Sequence, residues 1–187
     1  MEAHLVRDQG VAGSNPVSPI VTGGTRTEVR KKIVAVIGAS EAEETVLHDA
    51  EAIGEGIAQR GALLISGGLG GVMEAACRGA KKAGGMTIGI LPGTVRSDAS
   101  NYVDIRIVTG LSQARNVIIA RSCDAAVAIS GKYGTLSEIA YCLMFGVPVI
   151  GLGTWRLASD SVAEPIPISY ADNVNEVLKN LDLILRG

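Results

Sequence analysis

Two glycine-rich segments of the sequence have the composition of loops that bind an anion. They are Ser66–Gly71, with the sequence Ser-Gly-Gly-Leu-Gly-Gly, and Ser130–Thr135, with the sequence Ser-Gly-Lys-Tyr-Gly-Thr. Each follows an apolar run and precedes a stretch with helical spacing, so each is predicted to lead into a helix. The first N–H groups of a helix lack an intrahelical acceptor and lie at the positive end of its dipole. The sequence therefore predicts that a phosphorylated small molecule binds at these loops.

Three strand ends and the helix predicted after the fourth strand supply the residues that we expect to contact this ligand. Glycines let the backbone approach a phosphate closely because they carry no Cβ. Lys132 would add a point charge, and Arg115 lies where a bidentate contact is plausible. The predicted ligand-binding set is Gly38, Ser40, Gly67, Gly68, Gly70, Gly71, Arg115, Ser130, Gly131, Lys132, Gly134 and Thr135. The alternative is that the glycines only form tight turns and allow close packing of helices on strands.

Other nucleotide-binding and metal-binding classes are disfavoured by the motifs. Gly38-Ala39-Ser40 does not match G-x-G-x-x-G, and Ser66-Gly67-Gly68 stands where a dinucleotide site would have a ribose-binding acid. The sequence also lacks G-x-x-x-x-G-K-[ST], which excludes a P-loop NTPase. No cluster of His, Cys, Asp or Glu has metal-ligand spacing, so we predict no metal site.

Charge and cysteine content point to a protein without a nucleic-acid or membrane partner. The chain of 187 residues has 17 basic and 19 acidic residues and a formal net charge of -2. Nothing in this balance attracts nucleic acid, and no apolar run approaches the roughly 18 residues of a membrane span. The three cysteines are isolated in apolar or helical stretches, which predicts reduced core thiols in a cytoplasmic protein.

Apolar runs alternate with stretches of helical period from residue 31 to residue 187, and this pattern sets the expected fold. Such alternation predicts βαβ units and a parallel sheet. We expect one α/β domain, a three-layer, Rossmann-like, doubly wound parallel sheet of about six or seven strands. The predicted strands are Lys32–Ile37, Ala62–Ile65, Met86–Ile90, Tyr102–Val108, Ala125–Ile129, Val147–Leu152 and Ile166–Ile168. The predicted helices are Glu44–Arg60, Val72–Ala83, Leu111–Ser122, one that ends at Phe145, and Asp172–Leu185.

Residues 1–30 differ from the rest in having no sustained apolar period and many Gly, Ser, Pro and Asn residues. We expect this extension to be mostly disordered. Gly13-Ser14-Asn15-Pro16 is also what the T-arm sequence of a bacterial tRNA gene encodes. We therefore hypothesise that translation starts near Val29.

An ordered set of motifs carries a resemblance to a known superfamily. From about Lys32 to the C-terminus, the chain resembles the Rossmann-like superfamily that includes the "lysine decarboxylase-like" Lonely Guy (LOG) proteins. Within it, the chain is most similar to the branch of the molybdenum cofactor carrier proteins. The motifs are Ser66–Glu74, Gly89–Gly93, Thr109-Gly110, Ala114-Arg115-Asn116 and Gly134–Ala140. No lysine lies in a pyridoxal-phosphate context, so lysine decarboxylation is not expected.

The resemblance implies two different activities, according to the branch. LOG enzymes cleave the N-glycosidic bond of a nucleoside 5′-monophosphate with an Arg-Lys pair and a P-G-G-x-G-T-x-x-E motif. Arg115 and Glu138 match the arginine and the glutamate and would be catalytic in such an enzyme. Asn116 stands at the lysine position, and Ser130-Gly131-Lys132 replaces the P-G-G opening. The carrier branch instead implies binding of molybdopterin cofactor through the same loops.

Glu138 also has an interpretation without catalysis. Thr135-Leu136-Ser137-Glu138 matches a capping box, in which Thr135 would be the N-cap and Glu138 would accept from its N–H. We predict a binding or carrier protein for the molybdenum cofactor or an AMP-like nucleotide, with a nucleoside 5′-monophosphate phosphoribohydrolase as the alternative. We also expect a homo-oligomer, a dimer or tetramer, with contacts from Leu111–Ala120 and Ile139–Phe145.

Overall fold

Strands and helices alternate along the chain in the computed structural model, which describes residues 30–158 and 165–186. The strands are β1 (Ile33–Gly38), β2 (Leu63–Ser66), β3 (Thr87–Leu91), β4 (Ile105–Val108), β5 (Ala125–Ile129), β6 (Val149–Leu152) and β7 (Ile168–Ala171). The α-helices are α1 (Glu44–Gln59), α2 (Val72–Lys82), α3 (Asn116–Ser122), α4 (Tyr133–Met144) and α5 (Val174–Arg186). Short 3-10 helices cover Arg96–Asp98 and Ser112–Arg115.

The central strands are buried on both faces, which explains their unbroken apolar sequences. In β1, Val34 and Val36 pack into the core beneath α1, α2 and α5. Ala35 and Ile37 alternate with them and pack into the opposite core, beneath α3 and α4. The molecule thus has a helical layer on each face of the sheet, which confirms the predicted three-layer, doubly wound fold.

The order of the strands creates a crevice at one edge of the sheet. All neighbouring strands are parallel, and the order across the seven-stranded sheet is β4-β3-β2-β1-β5-β6-β7. The chain builds outward from β1 to β4 and then returns to the other side of β1 as β5. At such a switch point the two loops that leave the strands diverge, and ligands bind in the gap between them.

Three predicted elements differ from the structure in their type or by three residues at one end, and the others agree to within two residues. The helix expected over Leu111–Ser122 is divided into the 3-10 helix Ser112–Arg115 and α3, and Ser112 has a positive φ of 51°. The fourth strand starts at Ile105, because the preceding Asp104 accepts a hydrogen bond from the Thr87 N–H through its side chain. The last strand lies at Ile168–Ala171, beyond most of the predicted segment.

Apart from Arg30, which pairs with Asp124, the predicted N-terminal extension lies outside the described residues. The hypothesis of a start near Val29 falls in that part as well. No helix within residues 30–158 and 165–186 is both long and apolar enough to cross a membrane.

Candidate functional site

A cleft with a volume of about 300 Å³ lies at the switch point between β1 and β5. The loop after β1 forms one wall, and the 3-10 helix before α3 and the start of α4 form the other. The lining residues are Gly38, Ala39, Ser40, Glu41, Leu69, Met73, Gln113, Arg115, Asn116, Lys132, Gly134, Thr135 and Glu138. Its position is the one that parallel α/β sheets use for ligands.

The open end of α4 faces this cleft. Within the helix, the first backbone hydrogen bond is donated by the Leu136 N–H to the Lys132 carbonyl, at 3.1 Å. The N–H groups of Tyr133, Gly134 and Thr135 precede it and have no intrahelical acceptor. The Lys132 carbonyl also accepts a hydrogen bond from Nε1 of Trp155, at 3.2 Å, which holds the start of the helix in place. The cleft therefore contains donors and a positive dipole end that suit an anion.

A buried ion pair lies beside these donors. Nη1 of Arg115 is 3.3 Å from Oε1 of Glu138, and the two side chains are only 7% and 8% exposed. Nε of Arg115 is also buried, and it has no hydrogen-bond partner among the described residues. A guanidinium N–H left without an acceptor in a protein interior is costly, so a ligand oxygen at this point would be favoured.

Burial shifts the protonation of both members of the pair. Loss of solvent raises the pKa of Glu138 to about 7, although the nearby Arg115 charge opposes this change. Loss of solvent likewise lowers the pKa of Arg115, and the carboxylate of Glu138 opposes that change. A guanidinium still keeps its charge at neutral pH. Glu138 is therefore close to half-protonated near pH 7, and the net charge of the pair changes there.

The Ser66–Gly71 loop mainly links the start of α2 to the loop after β1. The N–H of Val72, at the start of α2, donates to the Ala39 carbonyl at 3.0 Å, so that loop and the β1 loop are joined. Gly71 has a φ of 64°, and a Cβ at this residue would lie 2.4 Å from the same Ala39 oxygen. Glycine is thus required at residue 71 by both conformation and close approach. Leu69 and Met73 from this region line the cleft, whereas the four glycines of the loop do not.

A family model and several known proteins match this chain. The model of the SLOG cluster4 family matches residues 31–178, which is well over half of the sequence. The chain belongs to the SLOG cluster4 family. This membership confirms the predicted place in the LOG superfamily.

Similar solved structures support the same placement of this SLOG cluster4 protein. The molybdenum cofactor binding protein of Rippkaea orientalis is 40% identical, with a TM-score of 0.77 over 84% of this chain and 99% of that one. The molybdenum cofactor carrier protein of Chlamydomonas reinhardtii is 37% identical, with a TM-score of 0.75 over 84% of this chain and 100% of that one. The architecture of the SLOG cluster4 chain is therefore that of the carrier branch.

Two curated relatives align over part of the SLOG cluster4 chain. An uncharacterized protein of Archaeoglobus fulgidus is 49% identical over 64% of this chain and 78% of its own length. The cytokinin riboside 5′-monophosphate phosphoribohydrolase of Mycobacterium tuberculosis is 32% identical over 57% of this chain. The alignment spans only 59% of that enzyme's length.

The structure brings seven of the predicted site residues of this SLOG cluster4 protein into the cleft. They are Gly38, Ser40, Arg115, Lys132, Gly134, Thr135 and Glu138. The other six do not line it: Gly67, Gly68, Gly70, Gly71, Ser130 and Gly131. Ser130 lines a neighbouring cavity instead, and Gly131 forms the turn before α4 with a φ of 104°. Whether these residues bind a ligand stays a prediction.

Sequence reasoning missed several lining residues. Gln113 and Glu41 neighbour predicted residues, but no motif distinguishes them. Met73 is only 6% exposed, and it nevertheless lines the cleft. For Asn116, the departure from the LOG lysine is the available signal in the sequence.

The capping-box interpretation of Glu138 is wrong. Helix α4 begins at Tyr133 with Lys132 as the N-cap, and no side chain hydrogen-bonds to the cap position. Thr135 therefore lies inside the first turn, where its backbone is helical. The carboxylate of Glu138 is directed to Arg115 instead, because α3, which Arg115 directly precedes, packs against α4. No group of three or more His, Cys, Asp or Glu side chains in the described ranges is placed to hold a metal ion.

Proposed function

We propose that this protein binds and carries a phosphorylated small molecule in the switch-point cleft, with the molybdenum cofactor as the leading candidate. The observation that carries the proposal is the buried Nε of Arg115, which has no partner among the described residues and belongs to a residue that lines the cleft together with the first turn of α4. A phosphate oxygen would accept from this N–H and from the N–H groups of the first turn.

The charge of the cleft suits a dianion better than a neutral ligand. Arg115 and Lys132 are the basic side chains that line it. With a pKa of about 7, Glu138 is protonated in about half of the molecules near pH 7. The α4 dipole adds a partial positive charge at the same place. A phosphate monoester carries about two negative charges near neutral pH. Arg115, Lys132 and the end of α4 would attract these charges, and the exposed carboxylate of Glu41, which also lines the cleft, would oppose them in part.

The relatives favour the molybdenum cofactor over other phosphate esters. The proteins of Rippkaea orientalis and Chlamydomonas reinhardtii are described as a molybdenum cofactor binding protein and a molybdenum cofactor carrier protein, and the match covers almost all of each. The cofactor would be held as cargo through its terminal phosphate, since the described residues offer no cluster of metal ligands.

A second candidate is hydrolysis of a nucleoside 5′-monophosphate at its N-glycosidic bond. The observation that favours it is the Arg115–Glu138 pair, since both residues match the LOG motif and lie together in the cleft. Water would add to the ribose carbon as the bond to the base breaks, giving the free base and ribose 5-phosphate. Glu138 would stabilise the positive charge that develops on the ribose. Asn116 and Lys132 depart from the LOG pattern and weigh against this candidate.

Native mass spectrometry of freshly purified protein tests the carrier proposal. A bound mass that matches the molybdenum cofactor, and that is lost in Arg115→Ala, is the expected result. The matched control is Arg121→Ala, because Arg121 lies on the adjoining helix with its guanidinium 3.9 Å from the centre of the Phe145 ring. Protein without any bound phosphate compound, and unable to take up the cofactor in solution, would contradict the proposal.

An assay for released base separates the two candidates. The protein is incubated with AMP, and free adenine is measured by chromatography. No release is expected for a carrier. Release that is abolished by Glu138→Ala, in a variant with an unchanged circular dichroism spectrum, would establish the hydrolase and overturn the carrier-only proposal.

Self-association and a cytoplasmic location also stay proposals. Leu111 and Met144 are 49% and 72% exposed. Exposed apolar side chains of this size support contacts between copies of the chain through Leu111–Ala120 and Ile139–Phe145. A monomer in light scattering at micromolar concentration would exclude this. Cys77, Cys123 and Cys142 are unpaired and buried, in accordance with a reducing compartment.

A further inference from the structure

Asn116 is a buried polar side chain in the wall of the cleft. It is only 1% exposed, and it follows Arg115 directly in the chain. Its side-chain amide nitrogen donates to Oγ of Ser137 at 2.8 Å and lies 3.4 Å from the Gly134 carbonyl. The side chain thus joins the start of α3 to the first turn of α4.

The hydrogen bonds of Ser137 fix which way the Asn116 amide faces. A serine hydroxyl has one hydrogen to donate, and Ser137 donates it to the Gly134 carbonyl at 2.7 Å. Toward Asn116 the hydroxyl can therefore only accept, so the atom 2.8 Å away must be the amide nitrogen. The amide oxygen is consequently turned away from Ser137.

That oxygen has no partner among the described residues. Oδ1 of Asn116 is buried and accepts no hydrogen bond from them, while Asn116 lines the cleft. Nε of Arg115 is a buried donor without a partner in the same wall. Buried polar groups of folded proteins are nearly always paired, so two adjacent exceptions in one cleft point to a ligand that satisfies both.

We propose that Asn116 determines ligand specificity by accepting a hydrogen bond from an O–H or N–H group that lies next to the phosphate of the ligand. This inference rests on the proposed function, because it adds a second contact to the same cleft. A fully ionised phosphate has no hydrogen to offer Oδ1 and would place oxygen against oxygen. The phosphate therefore belongs at Arg115 and the α4 N-terminus, and a hydroxyl or ring N–H belongs at Asn116.

The ligand class follows from this arrangement. Because the amide nitrogen of Asn116 faces Gly134 and Ser137, its oxygen faces away from these two residues, and the donor group of the ligand lies on that side of the amide. A phosphorylated polyol, sugar or N–H-bearing heterocycle fits, whereas an inorganic tetrahedral dianion satisfies only half of the site.

Two small anions distinguish the contact at Arg115 from the contact at Asn116. Sulfate is a tetrahedral dianion without a hydrogen, and ribose 5-phosphate combines a dianion with hydroxyls. Dissociation constants are measured by calorimetry and by the fluorescence of Trp155, the single tryptophan, whose indole donates to the Lys132 carbonyl. The wild type should bind ribose 5-phosphate at least about tenfold more tightly than sulfate, a preference of the size of one buried hydrogen bond.

Two variants test the assignment to Asn116. Asn116→Leu keeps the number and the branching of the side-chain heavy atoms but has no acceptor, so it should remove most of the preference and leave sulfate affinity within about twofold of wild type. Ser137→Ala leaves Asn116 in place but releases its amide to rotate, so the preference should fall by several-fold. The second variant keeps the test decisive if Asn116→Leu does not fold.

The failing outcomes differ from one another. Three outcomes would overturn this inference and leave the proposed function standing. They are an equal loss of affinity for both probes in Asn116→Leu, an unchanged preference for ribose 5-phosphate in either folded variant, and a wild type without that preference. Absence of binding of both probes to the wild type would overturn the proposed function as well.

Discussion

A Cβ atom placed on Gly67 would lie 2.4 Å from Nη2 and 2.7 Å from Nη1 of Arg115. The guanidinium group therefore occupies the space that any larger residue would take at the end of β2. The sequence suggests a phosphate contact for Gly67, but its position shows a different use: it makes room for the arginine that lines the cleft. The guanidinium group of Arg115 thus lies next to both the Gly67 backbone and the Glu138 carboxylate.

Gly67→Ala is expected to displace the Arg115 side chain. A contact of 2.4 Å cannot be tolerated, and the added carbon would also lie 2.7 Å from Sδ of Met73. We expect sulfate or ribose 5-phosphate to bind at least about tenfold more weakly by calorimetry, since the ligand would lose a charge-assisted hydrogen bond. Gly70→Ala is the control, because its Cβ would be 3.7 Å from the Ser40 carbonyl, an ordinary contact. Equal affinity in the two variants would contradict this role of Gly67.

Arg115→Lys is expected to weaken anion binding although the charge is kept. Lysine has no N–H at the Nε position and cannot form the planar fork of a guanidinium. The loss should be about tenfold or more in affinity for sulfate, the size of one charged hydrogen bond. Arg121→Lys provides the comparison, because Arg121 is exposed and stacks on Phe145 outside the cleft. If Arg115→Lys binds sulfate as well as the wild type does, only the charge matters.

Sulfate affinity is expected to increase as the pH falls from 8 to 6. Burial raises the pKa of Glu138 to about 7, so its carboxylate takes up a proton over this interval. Once Glu138 is neutral, the Arg115 charge is no longer balanced within the pair and attracts the anion more strongly. Sulfate itself does not titrate here. In Glu138→Gln the affinity should be independent of pH and close to the wild-type value at pH 6; a pH dependence that persists in this variant would assign the effect to another group.

The same proton uptake predicts a pH-dependent stability. Glu138 has a higher pKa in the folded protein, about 7, than the ordinary value of 4.5. The folded state therefore binds more protons than the unfolded state between these two values, and the free energy of unfolding should rise as the pH falls from 7 toward 4.5. One pKa unit corresponds to about 1.4 kcal/mol, and each pKa lies at one end of this interval, so a gain of about 3 kcal/mol is expected from urea denaturation. Glu138→Gln should remove this rise, and an equal rise in both proteins would contradict the assignment.

Gly54→Ala is expected to disrupt the packing of α1 on α2. Its Cβ would lie 1.9 Å from the Ala76 carbonyl, an atom of the α2 backbone that cannot move independently. Alanine normally stabilises a helix by about 1 kcal/mol relative to glycine. In Gly54→Ala we expect the opposite, a decrease of about 3 kcal/mol in the free energy of unfolding, measured by urea denaturation. In Gly56→Ala the three atoms nearest to the new Cβ all belong to the flexible side chain of Leu178, which can move, and the change should stay within about 1 kcal/mol. Similar stability of both variants would contradict the close helix contact.

The family and nearly all of the fold could be predicted from the sequence, whereas much of the site could not. Strands and helices leave a local signature, because apolar residues must recur with the period of the element that buries them. Glycine at the strand ends likewise signals a close backbone approach. These signals do not say what approaches the glycine. At Gly67 it is a side chain of the same protein, and at Gly71 it is the backbone of the β1 loop.

Alternation of elements along the chain determined, by itself, that this protein has a doubly wound sheet with open helix ends at one edge. Tertiary structure alone decided that β5 returns beside β1, which places the cleft between those two strands. It also decided that Glu138 pairs with Arg115, 23 residues earlier, and not with the cap of its own helix. The physical reason is that periodicity and capping motifs describe contacts within a turn or two. Burial, pKa shifts and polar atoms left without a partner arise only where distant segments meet.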